Sequence, residues 1–165
     1  MILFIGQKIK SILPEILFTV SLIVAILYVF FLFVQQHFPS KVSNINSEEI
    51  VDGLIYNIDS IYLEKNNLQI NGWALIENEY ISSVNTQVLL FNRELNSYAS
   101  IYTEMVKRED VATAIGTGYD YEYSGFSARS VLKTDSWKNA DVYIWYRNNN
   151  HSILLDTGLN LSEFQ

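Results

Sequence analysis

Ile16–Val34, ILFTVSLIVAILYVFFLFV, decides how this chain is built. It holds no charged residue, no Gly and no Pro, and its only hydroxyls belong to Thr19, Ser21 and Tyr28. As a helix rising about 1.5 Å per residue it would reach roughly 28 Å, close to the hydrocarbon thickness of a bilayer. A helix apolar on every side needs a core that surrounds it, and a chain of 165 residues offers none large enough. The stretch therefore reads as a transmembrane helix. It divides the chain into a leader (1–11), an anchor (12–37), a tether (38–49) and a folded remainder (50–165).

Charge sets the expected orientation. Lys8 and Lys10 against Glu15 give residues 1–40 a net charge of +1. Nine Lys/Arg against seventeen Asp/Glu give residues 41–165 a net of −8, which together make the chain's −7. The cations precede the helix, so the positive-inside bias places the N-terminus in the cytoplasm and exports the large domain. No A-x-A pattern follows the apolar run, so the expectation is an uncleaved single-pass signal anchor. Ser11 is the expected helix N-cap, with Pro14 and Glu15 in the first turn. Ser21 and Ala25 make a small-xxx-small pair, a candidate face for a second membrane helix, although such pairs also arise by chance. Phe38–Glu49, FPSKVSNINSEE, is polar and reads as a short tether.

Composition excludes several classes. An acidic domain with scattered Lys and Arg is a poor partner for nucleic acid. The absence of Cys removes disulfides and thiolate chemistry. Together with heavy use of Asn, Ile, Tyr and Lys, it points to an AT-rich, Gram-positive bacterial source.

Beyond the tether the period changes to two. Ser60–Glu64 and Leu68–Asn71 alternate around a Lys65-Asn66-Asn67 turn, and Val84–Phe91 is followed by Ser97–Thr103 as its hairpin partner. Gly125–Val131, Asp141–Arg147 and Ser152–Asp156, with Gly158–Leu161, complete the strands. Asn148-Asn149-Asn150 supplies a turn tolerant of positive φ. Asp110–Ile115 is the one helical segment, with Asp110 as N-cap and Gly116 as stop. The expected fold is mainly β: an antiparallel, Ig-like or jelly-roll-like sandwich with one short helical turn.

Three motifs carry a resemblance. Leu68–Leu75 (LQINGWAL), Arg108-Glu109-Asp110-Val111 and Tyr123-Ser124-Gly125-Phe126 together resemble a recurring bacterial β-sandwich module, "LxIxGWA … RxDV … GF". The module accompanies cell-envelope glycosyltransferases and polysaccharide-assembly proteins, and the resemblance spans roughly residues 55–161. The usual form has Asp or Pro in the RxDV spacer, where this chain has Glu109. The resemblance implies a non-catalytic accessory or binding subunit in polysaccharide synthesis, modification or export. Its implied partners are a polytopic glycosyltransferase or glycan-export protein and a cell-wall or lipid-linked glycan. Gly72, Trp73, Arg108, Asp110, Gly125 and Phe126 are its motif residues.

The residues have their own readings. Plain alternation points Trp73 away from Leu68 and Ile70 unless Gly72 forms a bulge; Trp73 is expected in the core, the alternative being an exposed platform. Arg108 and Asp110 are either a ligand-binding ion pair or a loop pin and a helix cap, and the second reading is the expectation. Tyr119, Tyr121 and Tyr123 alternate about Asp120 and Glu122, as rings that stack on a sugar would, or as ordinary strand tyrosines do. Trp137 and Trp145 are further aromatic candidates.

Catalysis has little support. His37 and His151 lie in no metal-ligand spacing, no Ser sits in a G-x-S-x-G elbow, and no cofactor is expected. The rival enzymatic reading is a tethered carbohydrate-active enzyme using two of Glu104, Glu109, Asp110, Asp120 and Glu122 as its acid pair. A pure protein-interaction module is a third possibility.

Overall fold

In the computed structural model, residues 2–48, 51–116 and 118–165 are described, with side chains described from Pro14 onward. The chain forms two units, 1–35 and 36–165. The first is most of a single helix, α1 (Ile2–His37). Its segment Pro14–His37 is, among the described residues, the one helix long and apolar enough to cross a membrane. The helix does not begin at Ser11. It runs back to Ile2 and carries Pro14 in its interior, at the cost of one backbone donor. Ser21 and Ala25 are exposed along it. The Ser21 hydroxyl donates to the Phe18 carbonyl at 2.8 Å and that of Thr19 to the Glu15 carbonyl at 2.8 Å, so both return to their own helix.

The second unit is a sandwich of two antiparallel sheets. A five-stranded sheet has the order β1 (Ser40–Val42), β5 (Ser97–Ser100), β4 (Gln87–Asn92), β8 (Asp141–Asn148), β9 (His151–Asn160). A four-stranded sheet has the order β2 (Leu54–Glu64), β3 (Asn67–Ile76), β7 (Gly125–Val131), β6 (Tyr102–Val106). Inward side chains of both sheets, among them Ile70, Ala74, Leu90, Phe126, Val142 and Ile144, form the main core.

Turn chemistry falls where the sequence places it. Lys65 (φ 56°) opens the two-residue β2–β3 turn and Asn149 (φ 53°) the β8–β9 turn. The expected strand 97–103 is broken at Ile101. Residues up to Ser100 pair with β4 as a hairpin, whereas Tyr102–Val106 cross to the other sheet and pair with β7. Ile101 is 3% exposed at the crossing, so one apolar side chain fixes the point where the strand changes sheets.

The tether is not free. Ser40, Lys41 and Val42 pair with Ser100, Ala99 and Tyr98, making the tether's start the edge strand of the five-stranded sheet. Glu48 adds a parallel bridge beside β9, donating its N–H to the Ser152 carbonyl at 2.8 Å. Its carboxylate accepts the Ser152 N–H at 2.8 Å, a bond that holds the Glu48 carboxyl below the usual range. Glu49 and Ile50, at the expected boundary, lie outside the described residues.

β2 carries a bulge. Ile58 pairs with Gly72 and Ser60 with Asn71, leaving Asp59 unmatched. The bulge is therefore in the strand opposite Gly72, not at Gly72 itself. A Cβ on Gly72 would lie 2.4 Å from the Asn57 carbonyl oxygen and 2.8 Å from the Phe126 ring. Gly72→Ala is expected to lower stability by about 1–3 kcal/mol by overpacking, read by Trp fluorescence during urea unfolding; a change within 0.5 kcal/mol or so, the range of neutral surface substitutions, contradicts this close approach.

Candidate functional site

The three motifs converge on one place. β3–β7 pairing sets Gly72 beside Phe126 and Trp73 beside Gly125, and β6–β7 pairing ends with Val106 beside Gly125. Two residues later the Arg108 N–H donates to the Glu122 carbonyl at 2.6 Å. The Arg108 stem then lies over Gly125, where a Cβ would meet its Cγ at 2.4 Å and the Val106 oxygen at 2.6 Å. Its guanidinium grips Asp110 with two bonds, Nε to Oδ1 at 2.8 Å and Nη2 to Oδ2 at 2.7 Å. The remaining nitrogen, Nη1, reaches the bulge carboxylate, Asp59 Oδ2, at 2.5 Å.

This arrangement orders chain segments. Arg108 ties the β2 bulge to the first turn of α2 (Glu109–Ile115), and its fork matches two carboxylates at once. Asp110 is not the helix cap. Arg108 occupies the N-cap position without a side-chain cap bond, and Asp110 sits in the first turn, where an anion also complements the helix dipole. Hydrogen bonds from Arg108 push the Asp110 carboxyl down to about 2, and the same bonds raise the guanidinium's affinity for its proton. Gly116, at φ 57°, ends α2 as expected.

Trp73 is not between the sheets. It points away from Ile70 and Ala74 and is half-buried in a second cluster with Leu75, Val111 and Tyr121. Strand alternation explains the correction: Gly72 makes no bulge of its own, so Trp73 keeps outward parity and α2 covers it.

The three tyrosines do not share a strand face. Residues 118–124 form an irregular connection between α2 and β7. Tyr121 is fully buried and its hydroxyl accepts the Asn78 N–H at 2.8 Å, while Tyr123 is 54% exposed. Tyr119 stacks on Tyr121 at 6.1 Å between ring centroids and meets Tyr80 at 4.7 Å. Their spacing mimics a strand, but burial of Tyr121 in the second cluster fixes a loop.

The five carboxylates of the enzymatic reading are each engaged. Glu104 accepts from Tyr102 and Arg129, Glu109 and Glu122 both meet Lys107 at 2.9 Å, and Asp110 is held by Arg108. Asp120 accepts the Glu122 N–H. Among the described residues no group of three or more His, Asp or Glu is placed to hold a metal ion.

Sequence reasoning missed a second junction. His151 Nδ1 lies 3.0 Å from Glu48 and Nε2 lies 3.3 Å from Glu79, so this turn histidine joins the tether to the connection after β3. Asn148 is 1% exposed and donates to the Tyr80 carbonyl at 3.0 Å, with its oxygen accepting from Ser82 N–H at 3.3 Å. Only the run of asparagines marked the place in the sequence, and it signalled the turn rather than its contacts.

No protein-family model, curated protein or solved structure matches this chain.

Because the Asp110 carboxyl titrates below its unfolded value, its contribution to stability is present above about pH 4. That contribution disappears as pH falls through about 2. Carboxyl NMR is expected to show Asp110 with a midpoint near 2, returning to about 4 in Arg108→Ala. A midpoint near 4 in the unmodified chain contradicts the pairing.

Proposed function

We propose that this chain is a membrane-anchored, non-catalytic accessory subunit acting at the outer face of the cell membrane in cell-envelope polysaccharide synthesis, modification or export. The observation that carries the reading is the junction between anchor and sandwich. α1 ends at His37 and β1 begins at Ser40, so Phe38 and Pro39 are all that separates them in the chain. Two residues span at most about 7 Å, which keeps the start of the sandwich at the membrane surface once the helix is inserted. Lys8 and Lys10 favour a cytoplasmic N-terminus, and the lack of a small-x-small site favours an uncleaved anchor.

The polysaccharide context comes from the GWA … RxDV … GF resemblance. The motif residues bear structural duties, as expected of a module whose fold recurs while its partners differ. A polytopic glycosyltransferase or a glycan-export protein is the partner for such a subunit, with a lipid-linked or cell-wall glycan passing close by. Holding both in one membrane raises their effective concentration, so weak contacts suffice. A Gram-positive host fits the cysteine-free domain.

Deleting the gene in its native host is expected to reduce cell-surface polysaccharide. Expression of the chain with Glu104, Glu109, Asp110, Asp120 or Glu122 changed singly to its amide is expected to restore it. A folded amide variant that fails to restore the polysaccharide contradicts the non-catalytic reading, and an unchanged polysaccharide on deletion contradicts the pathway.

A further inference from the structure

Among the described residues, the outward side of the four-stranded sheet is covered by the Trp73 cluster and bordered near Tyr62 by Gln36 and His37, and strand alternation fills the rest with one kind of chemistry. Ser60 and Tyr62 of β2, Gln69 and Asn71 of β3, Arg129 of β7 and Glu104 of β6 all share this side, set by the registers Ser60–Asn71, Tyr62–Gln69 and Gln69–Arg129. Strands about 4.8 Å apart, with outward residues about 6.6 Å apart along each, make a lattice on the scale of a single sugar ring.

The lattice is pre-oriented. Asn71 Nδ2 donates to Ser60 Oγ at 3.0 Å, while Asn71 Oδ1 accepts from Ser127 Oγ at 2.8 Å and from Gln69 Nε2 at 3.4 Å. Arg129 donates to Glu104 at 3.0 Å and lies 5.1 Å from the Tyr102 ring centre, and the Tyr102 hydroxyl donates to Glu104 at 2.7 Å. At the other side Tyr62 is 59% exposed, and its hydroxyl donates to Glu64 at 2.8 Å. A cleft of about 310 Å³ opens at this end, its lining including Tyr62, Glu64, Asn67, Gln69 and Arg129.

We infer that this face, centred on Tyr62, Gln69, Asn71 and Arg129, is a binding site for an uncharged saccharide. The inference rests on the glycan context proposed above and supplies the site within it. Side-chain amides offer donors and acceptors side by side, which matches a ligand whose every hydroxyl is both. An exposed tyrosine ring gives an apolar plane with a polar edge, suited to the C–H face of a pyranose. Charge argues against an anionic ligand, since Glu64 and Glu104 outweigh Arg129 by one and Arg129 is already paired. A protein partner would want an apolar, desolvated centre, and here the centre is Gln69 and Asn71. The site thus lies on the sheet and not at Tyr119, Tyr121 and Tyr123.

The test uses the full chain in phosphatidylcholine nanodiscs against neutral tetrasaccharides of glucose, galactose, mannose and N-acetylglucosamine, with an oligogalacturonate as the anionic comparison. At least one neutral tetrasaccharide is expected to bind. Tyr62→Ala and Gln69→Ala, both at exposed positions, are each expected to weaken that binding about tenfold or more without changing thermal unfolding, while Tyr80→Ala leaves it unchanged. Binding that survives both substitutions, or binding of the oligogalacturonate alone, overturns the site. So does the failure of every neutral tetrasaccharide to bind, and if deletion still depletes surface polysaccharide then only the site falls. A photo-crosslinker at position 69 that joins a protein in cells overturns it in favour of a protein-docking face. Saccharide binding lost with Tyr62 and Gln69, but without any effect of deletion on the polysaccharide, upholds the site and removes the pathway.

Discussion

A single guanidinium holds the irregular half of this sandwich together. Arg108 stands at the end of β6, closes a two-bond clamp on Asp110 and reaches the unmatched bulge residue Asp59. The glycines of the motif follow from that geometry. Gly125 leaves room for the arginine's stem, and Gly72 leaves room for the Asn57 carbonyl and the Phe126 ring beside the bulge. Arg108 is only 21% exposed at its side chain, so its attraction to the two carboxylates is screened less than that of a surface pair. Lysine could not replace it, because a point charge cannot grip Asp110 with two parallel bonds while reaching Asp59 with a third nitrogen. In so acidic a domain, loss of this cation would also leave two carboxylates facing one another across the bulge.

The second constraint is the way the chain enters the sandwich. A free tether would let the domain wander from its anchor. Instead Ser40–Val42 becomes an edge strand, and Glu48 is fastened through Ser152 and His151 to the start of β9. The edge is three residues long and carries Lys41, both of which discourage pairing with a second chain. Stitching the linker into the sheet leaves little of it as free chain.

Local chemistry was legible in the sequence, and long-range chemistry was not. The apolar run declared a helix long and apolar enough to cross a membrane, and Asn149 and Gly116 each stood where positive φ is needed. Ser40–Val42 was illegible because a three-residue strand has no periodicity and owes its existence to β5, sixty residues away. The break at Ile101 was hidden because both halves of Ser97–Thr103 are genuine strands, and only the sheets they join differ. Tyr119–Tyr123 alternates as a strand would, yet Asn78 and the cluster around Val111 draw Tyr121 inward. Trp73 was given the wrong side because the bulge lies at Asp59, whose sequence context, Ile58-Asp59-Ser60, reads as plain strand. Asp59, the far partner of Arg108, lies 49 positions from it and belongs to none of the three motifs.

The Arg108–Asp59 contact joins the bulge to α2 and so stabilises the fold. A double-mutant cycle between Asp59→Ala and Arg108→Ala, followed by Trp fluorescence in urea, measures it most directly. A coupling of about 0.5–3 kcal/mol is expected, the range for side chains in direct contact. A coupling near zero, with the two substitutions simply additive, would contradict it.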